Sequence, residues 1–199
     1  MAKAKHTDAD TTPGIEPDVE PDDPRLANLP DRALLLDWGG TLMRVMPRWM
    51  GPQHGWTDED PMPHAGEVLR ALAASWRLAL ASNASESDEG PIRDALAPMG
   101  VGPLLAGVYT WRSAGAPKPW PPFWGHVLRD LGLPAHSVVM IGDDWTGDVW
   151  GATQAGMHGI WFDPPRNGNV REARTAPRVR TMRDFRELPM LLIELGFEI

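Results

Sequence analysis

From Ala33 onward, short runs of Leu, Val and Ile alternate with stretches in which apolar residues return at three- and four-residue spacing. That alternation predicts an α/β domain built on a mostly parallel sheet. The strand candidates are Ala33–Leu36, Arg77–Ala81, Gly107–Thr110, Ser137–Ile141, Gly159–Phe162 and, more weakly patterned, Arg178–Thr181. Between them the helical period predicts helices over His64–Ser75, Ser85–Leu96, Pro121–Leu131, Thr146–Ala155 and Asp184–Leu195, with Val68, Leu69 and Leu72 on one face of the first. Residues 43–62 follow neither period and mix Met43, Met46, Met50, Pro47, Pro52, Pro61, Trp49 and Trp56, which predicts an irregular flap. Residues 31–199 therefore read as the α/β domain and residues 1–30 as a tail.

Charge sharpens that division. The net charge is -8 over 199 residues, but residues 7–24 alone hold seven acidic side chains among four prolines, while residues 25–199 hold 17 basic and 20 acidic ones. An acidic, proline-rich stretch with so little apolar surface cannot offset chain entropy and is expected to be a disordered, solubilising tail. The seven arginines from Arg166 to Arg186 read as a solvated face, with attraction of phosphates or an acidic partner as the sharper alternative. Cysteine is absent, which removes thiolate metal sites, disulfides and thiol nucleophiles. No apolar run reaches the length of a membrane span, and the start of the chain lacks the apolar stretch of a signal peptide, so a cytoplasmic enzyme or binding protein is expected.

Polar chemistry gathers where parallel strands end, the place where open α/β sheets collect their catalytic groups. The first strand runs into Asp37, Trp38, Gly39, Gly40 and Thr41, and the second into Ser82 and Asn83. Lys118, flanked by Pro117 and Pro119, is the only lysine after Lys5. The fourth strand ends in Gly142, Asp143 and Asp144, with Asp148 at the mouth of the next helix. Singly, each has a plain structural explanation, such as a turn cap or a helix N-cap. Together they supply a nucleophile, a hydroxyl donor, a cation and an acidic pair in sheet order.

These residues resemble the motifs of the haloacid dehalogenase superfamily of phosphatases and related hydrolases. Leu36-Asp37-Trp38-Gly39-Gly40-Thr41 is similar to its first motif, Ala81-Ser82-Asn83 to its second, Lys118-Pro119 with Phe123 to its third, and Gly142-Asp143 through Asp148, with Gly151-Ala152 behind it, to its fourth. The resemblance covers about residues 31–196 and implies a three-layer Rossmann-like domain, Mg²⁺ and an aspartyl-phosphate intermediate. By it, Asp37 is the nucleophile, with Ser82 and Lys118 binding the transferring oxygens. Thr41, Asn83 and Gly40 would line the phosphate loop; Asp37, Asp143 and the main-chain carbonyl of Gly39 would hold the metal, with Asp144 and Asp148 behind them. The implied substrate is a phosphorylated small molecule or a larger phosphorylated one; nucleic acid is not an expected partner, and no feature of the chain sets an oligomeric state.

One position departs from the family pattern. Phosphatases of this family place a second acid, which protonates the leaving group, where this chain has Gly39. General acid help contributes about 10² to 10⁴ in rate, so esters or anhydrides with good leaving groups are the expected substrates. The alternative is a catalytically weak pseudo-phosphatase that binds a phosphorylated ligand or partner. Phosphonate cleavage, which in the family needs a cap lysine, is excluded because no lysine lies between Lys5 and Lys118. Dehalogenases also lack the second acid but work under a large cap. Here 40 residues separate Thr41 from Ser82, and 35 separate Ser82 from Lys118, leaving room for a short flap and no large cap.

Ten tryptophans stand against one tyrosine. Trp38, Trp120 and Trp145 fall inside motif loops, where they either stack on a base, a sugar or an aryl leaving group, or pack elements together. None of the six histidines has a zinc-ligand spacing to another.

Overall fold

The computed structural model of the chain describes residues 30–44, 61–85, 88–165 and 171–199. The acidic tail through residue 29, the body of the flap (45–60, with Trp49 and Trp56) and Arg166 lie outside the described residues. Six strands form one sheet: β1 (Ala33–Leu36), β2 (Arg77–Ser82), β3 (Leu105–Thr110), β4 (Val138–Gly142), β5 (His158–Phe162) and β6 (Val179–Met182). Their order is β3-β2-β1-β4-β5-β6 and every pairing is parallel. The chain thus winds outward from β1 in both directions, which puts the topological switch between β1 and β4. Helices α1 (Ala65–Leu72), α2 (Glu89–Ala95), α3 (Trp111–Ala114), α4 (Pro121–Leu131), α5 (Gly151–Gln154) and α6 (Leu188–Glu194) connect them.

Period-two alternation of the strands sorts the core onto the two faces of the sheet. Leu34, Leu36, Leu78, Leu80, Val139 and Ile141 pack against α1, α2 and α6 through Leu69, Leu72, Ile92, Leu188 and Leu192. Their strand neighbours Ala33, Leu35, Ala79, Ala81, Val138 and Met140 face α4 and α5 through Phe123, Trp124, Val127, Leu128 and Ala152. The result is the three-layer Rossmann-like arrangement expected from the sequence. All four residues of β1 are fully buried because both of its faces are covered.

The predicted boundaries hold for β1 and α4 and shift elsewhere. β3 begins two residues earlier, at Leu105, where Leu78 pairs with it before the register slips. The short α3 was absent from the predicted elements; the Thr110 and Ser113 side chains close a capping box around its start. The helix expected over Thr146–Ala155 opens instead as a π-helical turn, Trp145–Trp150, and only then becomes α5. At the flap, the described ends are tied together: Met43 and Pro61 form an antiparallel bridge, and the Met62 N–H donates to the Leu42 carbonyl at 2.7 Å.

Candidate active site

The site lies at the carboxyl ends of β1, β2 and β4, beside the switch point. The Asp37 N–H donates to the Ile141 carbonyl at 2.9 Å, so the residue continues the ladder one step past β1 before the chain turns. The turn is tight: the N–H groups of Thr41, Leu42 and Met43 all donate to the Trp38 carbonyl, at 3.2, 2.9 and 3.1 Å. Gly40 sits in it at φ 87°, and a Cβ there would overlap the Asp143 carboxylate. Only glycine allows both that backbone and that approach.

Lys118 is the centre of the site. Its Nζ donates to Asp37 Oδ1 at 2.8 Å, to Asp148 Oδ1 at 2.6 Å and to the Ala81 carbonyl at 2.7 Å, which uses all three ammonium protons. The Asn83 amide grips the same residue from behind: the Lys118 N–H donates to Asn83 Oδ1 at 2.7 Å, and Asn83 Nδ2 donates to the Lys118 carbonyl at 3.2 Å. Asn83 therefore lines the pocket while its amide positions Lys118.

The other groups brace the carboxylates. Thr41 Oγ1 donates to Asp37 Oδ2 at 3.1 Å and accepts the Asp143 N–H at 3.1 Å, linking the ends of β1 and β4. Asp148, buried in the π-helical turn, accepts the Asp144 N–H at 3.1 Å through its second oxygen. A Cβ at Gly142 would occupy the space of the Asp148 carboxylate, which explains glycine directly before Asp143. Ser82 is buried and its hydroxyl accepts the Ala84 N–H at 3.2 Å. Asp144 is exposed, and its side chain caps the turn by accepting the Thr146 N–H at 3.0 Å.

Charge in this pocket does not balance locally. Burial opposes the charge of Lys118, yet the flanking Asp148 and Asp37 hold its pKa above the ordinary lysine value. Burial likewise pushes the Asp148 carboxyl up, to about 7, against the pull of Lys118 and with the charge of Asp37 adding to the rise. The ammonium of Lys118 pairs with Asp37 and Asp148, and the Asp143 carboxylate adjoins them. Carboxylate oxygens of these three residues lie within 4.8 Å of one another. The pocket has a volume of about 280 Å³, and Gly39, Ser82 and Asn83 complete its walls.

The motif tryptophans divide. Trp38 is fully buried, a core residue with no face toward the pocket chemistry. Trp145 meets Trp161 edge-on at 5.7 Å, and Arg174 lies over both rings, 4.1 and 5.0 Å from their centroids. Trp120 is 63% exposed. The arginines after residue 170 are engaged within the fold: Arg171 and Arg183 on the buried Asp163, Arg178 on the Gly156 carbonyl, Arg180 on Glu194 and Arg186 on Asp184. Arg171, Arg174, Arg178 and Arg186 are nonetheless exposed, so the described part of the segment is the solvated face expected, tied to the fold at its surface. Two further contacts had no sequence signal: the Ala81 carbonyl on Lys118, and Trp161 Nε1 donating to the Asp143 carbonyl at 3.1 Å.

Comparison with known proteins bears on the family and the fold. The sequence profile of the haloacid dehalogenase-like hydrolases matches residues 51–156, a span that holds Ser82, Lys118, Asp143 and Asp148. Phospholysine phosphohistidine inorganic pyrophosphate phosphatase of Rattus norvegicus is 49% identical over 43 residues, 22% of this chain and 16% of that protein. The 5-amino-6-(5-phospho-D-ribitylamino)uracil phosphatase YigB of Escherichia coli is 28% identical over 104 residues, 52% of this chain and 40% of that protein. The chain thus spans less than half the length of these curated relatives. Among solved structures, an uncharacterized protein from Listeria monocytogenes superposes with a TM-score of 0.70 at 24% identity, covering 82% of this chain and 98% of the other. The HAD-hydrolase YfnB from Bacillus subtilis, bound to magnesium, superposes with a TM-score of 0.55 at 19% identity, covering 69% and 56%. At these identities the structural likeness is one of fold.

Proposed function

The chain belongs to the haloacid dehalogenase-like hydrolases, and from that premise we propose that it is a Mg²⁺-dependent phosphatase acting through an aspartyl-phosphate on Asp37. The observation that carries this reading is the junction of Asp37, Lys118 and Asp148 at the strand ends, with the Asp143 carboxylate close by. Three carboxylates of hard oxygen donors around one ammonium fit a divalent cation. Asp37, Asp143 and the Gly39 carbonyl would hold it, with Asp148 behind them. When bound, the metal supplies positive charge against the oxygens of the transferring phosphoryl group.

Lys118 and Thr41 fix the two oxygens of Asp37, so the carboxylate faces the pocket without rotating. One oxygen of Asp37 bonds to phosphorus as the bond from phosphorus to the leaving oxygen breaks, and the leaving group departs with the electron pair. Water then attacks the same phosphorus and gives up a proton to solvent, the bond to Asp37 breaks, phosphate is released, and the carboxylate is restored. Lys118 and the Ser82 hydroxyl stabilise charge on the transferring oxygens. Gly39 offers no proton to the departing oxygen, so the favoured substrates carry leaving groups stable as anions. Among the described residues there is no cap domain.

The test is turnover of an activated phosphate ester with Mg²⁺, together with intact mass after rapid acid quench. A phosphate adduct on the parent, lost in Asp37→Asn along with at least about a hundredfold of the rate, is the expected result. The absence of a general acid at Gly39 is what favours a second reading, a binding protein for phosphorylated partners. Saturable binding of a phosphate ester without turnover or adduct is its signature.

A further inference from the structure

A second cavity of about 860 Å³ adjoins the catalytic pocket, with Asp143 lining both. Gly40, whose missing side chain brings the Asp143 carboxylate close, forms part of the same boundary. Resting on the phosphatase reading above, we propose that this cavity receives the leaving group of the substrate and that the leaving group is a neutral, apolar aryl ring, so that the substrate is an aryl phosphate monoester.

One half of the lining argues for an apolar occupant: five of its ten residues are apolar. Met62, Pro63, Phe162, Pro164 and Pro165 supply the apolar surface. Three of the five are prolines, whose fixed φ makes them a rigid face that loses little entropy when a ring lies against it. The charged groups of the lining, Arg44 and Arg183 against Asp143 and Asp184, balance in sign. Arg183 and Asp184 pair with residues outside the lining. Arg183 Nη1 donates to the Asp163 carbonyl at 3.2 Å and lies 3.6 Å from its carboxylate. Asp184 accepts from Arg186 at 2.9 and 3.0 Å and meets His64 Nδ1 at 3.1 Å. An apolar ring lying against Met62, Pro63, Phe162, Pro164 and Pro165 would exchange water for carbon. The volume falls within the ~300–1,000 Å³ usual for small-molecule sites.

The chemistry of the pocket selects the same class by a separate route. With glycine at position 39, nothing in the first motif protonates the departing oxygen. An aryl oxide, far less basic than an alkoxide, leaves without that help. The apolar cavity and the missing acid are independent features, and both are satisfied by one substrate type.

The experiment compares 2-naphthyl phosphate, phenyl phosphate and acetyl phosphate with the full chain and Mg²⁺. Naphthol and phenol are similarly basic, so their ratio isolates the cavity from the leaving-group chemistry. We expect kcat/KM for 2-naphthyl phosphate to exceed that for phenyl phosphate by at least about tenfold, mostly through KM. Met62→Trp, which fills the wall, should bring that ratio toward one. Calorimetric binding of the two esters to the parent protein reads the same preference without turnover, and serves if the variant fails to fold. Equal binding of the two esters, or a ratio unmoved by a folded Met62→Trp, overturns the cavity assignment. Hydrolysis of acetyl phosphate with no naphthyl preference overturns it alone and leaves the phosphatase reading standing. Preferential naphthyl phosphate binding with hydrolysis of none of the three overturns the phosphatase reading and supports the cavity as an aryl site.

Discussion

Lys118 carries its charge inside the protein, with 2% of its side chain exposed and Asp37 and Asp148 at 2.8 and 2.6 Å. Buried ion pairs are valuable less for what they add than for what their loss leaves behind. Lys118→Met would strand two carboxylates without a cation, a change that costs about 3–5 kcal/mol in comparable sites. The expected outcome is a lower midpoint of chemical denaturation in chelator and the loss of phosphatase turnover; an unchanged midpoint would contradict the ion-pair geometry. His158 illustrates the opposite case at the far end of the sheet. Its Nδ1 is buried without a partner among the described residues, and its ring meets Phe197 edge-on at 5.1 Å. Burial first, then the charges of Arg178, His136 and Arg180, pull its pKa below the ordinary 6.5. The unfolded chain therefore takes up this proton before the folded one, and stability falls as pH drops below about 6.5. Between pH 7.5 and 5.5 the Asp148 carboxyl, raised to about 7 by burial, takes up a proton in the fold and works the other way, so the difference between proteins is the readout: the melting temperature of His158→Phe should rise relative to that of the parent as pH falls.

Strands and their ends were the legible elements, because two physical signals coincide there. Leu34, Leu36, Leu78 and Leu80 on one face and Ala33, Leu35, Ala79 and Ala81 on the other produce the runs that mark buried parallel strands. The carboxylate, hydroxyl and glycine residues that follow cannot continue those runs, so sequence alone located Asp37, Ser82 and Asp143 at strand tips. What stayed hidden depends on contacts between elements distant in the chain. The π-helical start at Trp145–Trp150 holds only weak helix formers and its widened turn has no local mark in the sequence, yet it is this turn that carries Asp148 inward onto Lys118. Asn83 resembled an oxyanion donor because its amide suits that role; its clamp on Lys118, 35 positions away, had no local mark. Likewise β5 read as a buried strand, while its Trp161 reaches across to the Asp143 carbonyl at 3.1 Å. That indole, held between Trp145 and the stacked Arg171 and Arg174, ties the β4 loop to the neighbouring strand. Trp161→Phe keeps the ring packing and removes the hydrogen bond. It should weaken Mg²⁺ affinity by about tenfold, in line with other groups that orient metal ligands, with a melting temperature close to the parent. Unchanged Mg²⁺ affinity in calorimetry would make Trp161 a packing residue only.

At the scale of the whole molecule, the fold gathers carboxylates at one edge of the sheet. Asp37, Asp143, Asp144 and Asp148 line the catalytic pocket with Lys118 as the one cation among its lining residues. Folding therefore works against repulsion that the unfolded chain, with its carboxylates dispersed in water, does not feel. A cation that binds only the assembled pocket reverses that term, and its effect follows mass action: at a free concentration one hundred times its dissociation constant, stabilisation is about 2.7 kcal/mol. The melting temperature should consequently rise with Mg²⁺, continue to rise logarithmically past saturation, and return to the starting value in excess chelator. Sodium chloride at matched ionic strength screens repulsion generally, so a smaller rise with salt alone separates screening from site binding. Asp143→Asn provides the internal contrast. It removes one carboxylate of the cluster, so the variant should gain little from Mg²⁺ whatever its melting temperature in chelator. A variant that gained as much as the parent would place the cation elsewhere, and one that melted lower in chelator would mean that Asp143 supports the fold by its own hydrogen bonds more than it burdens it by charge.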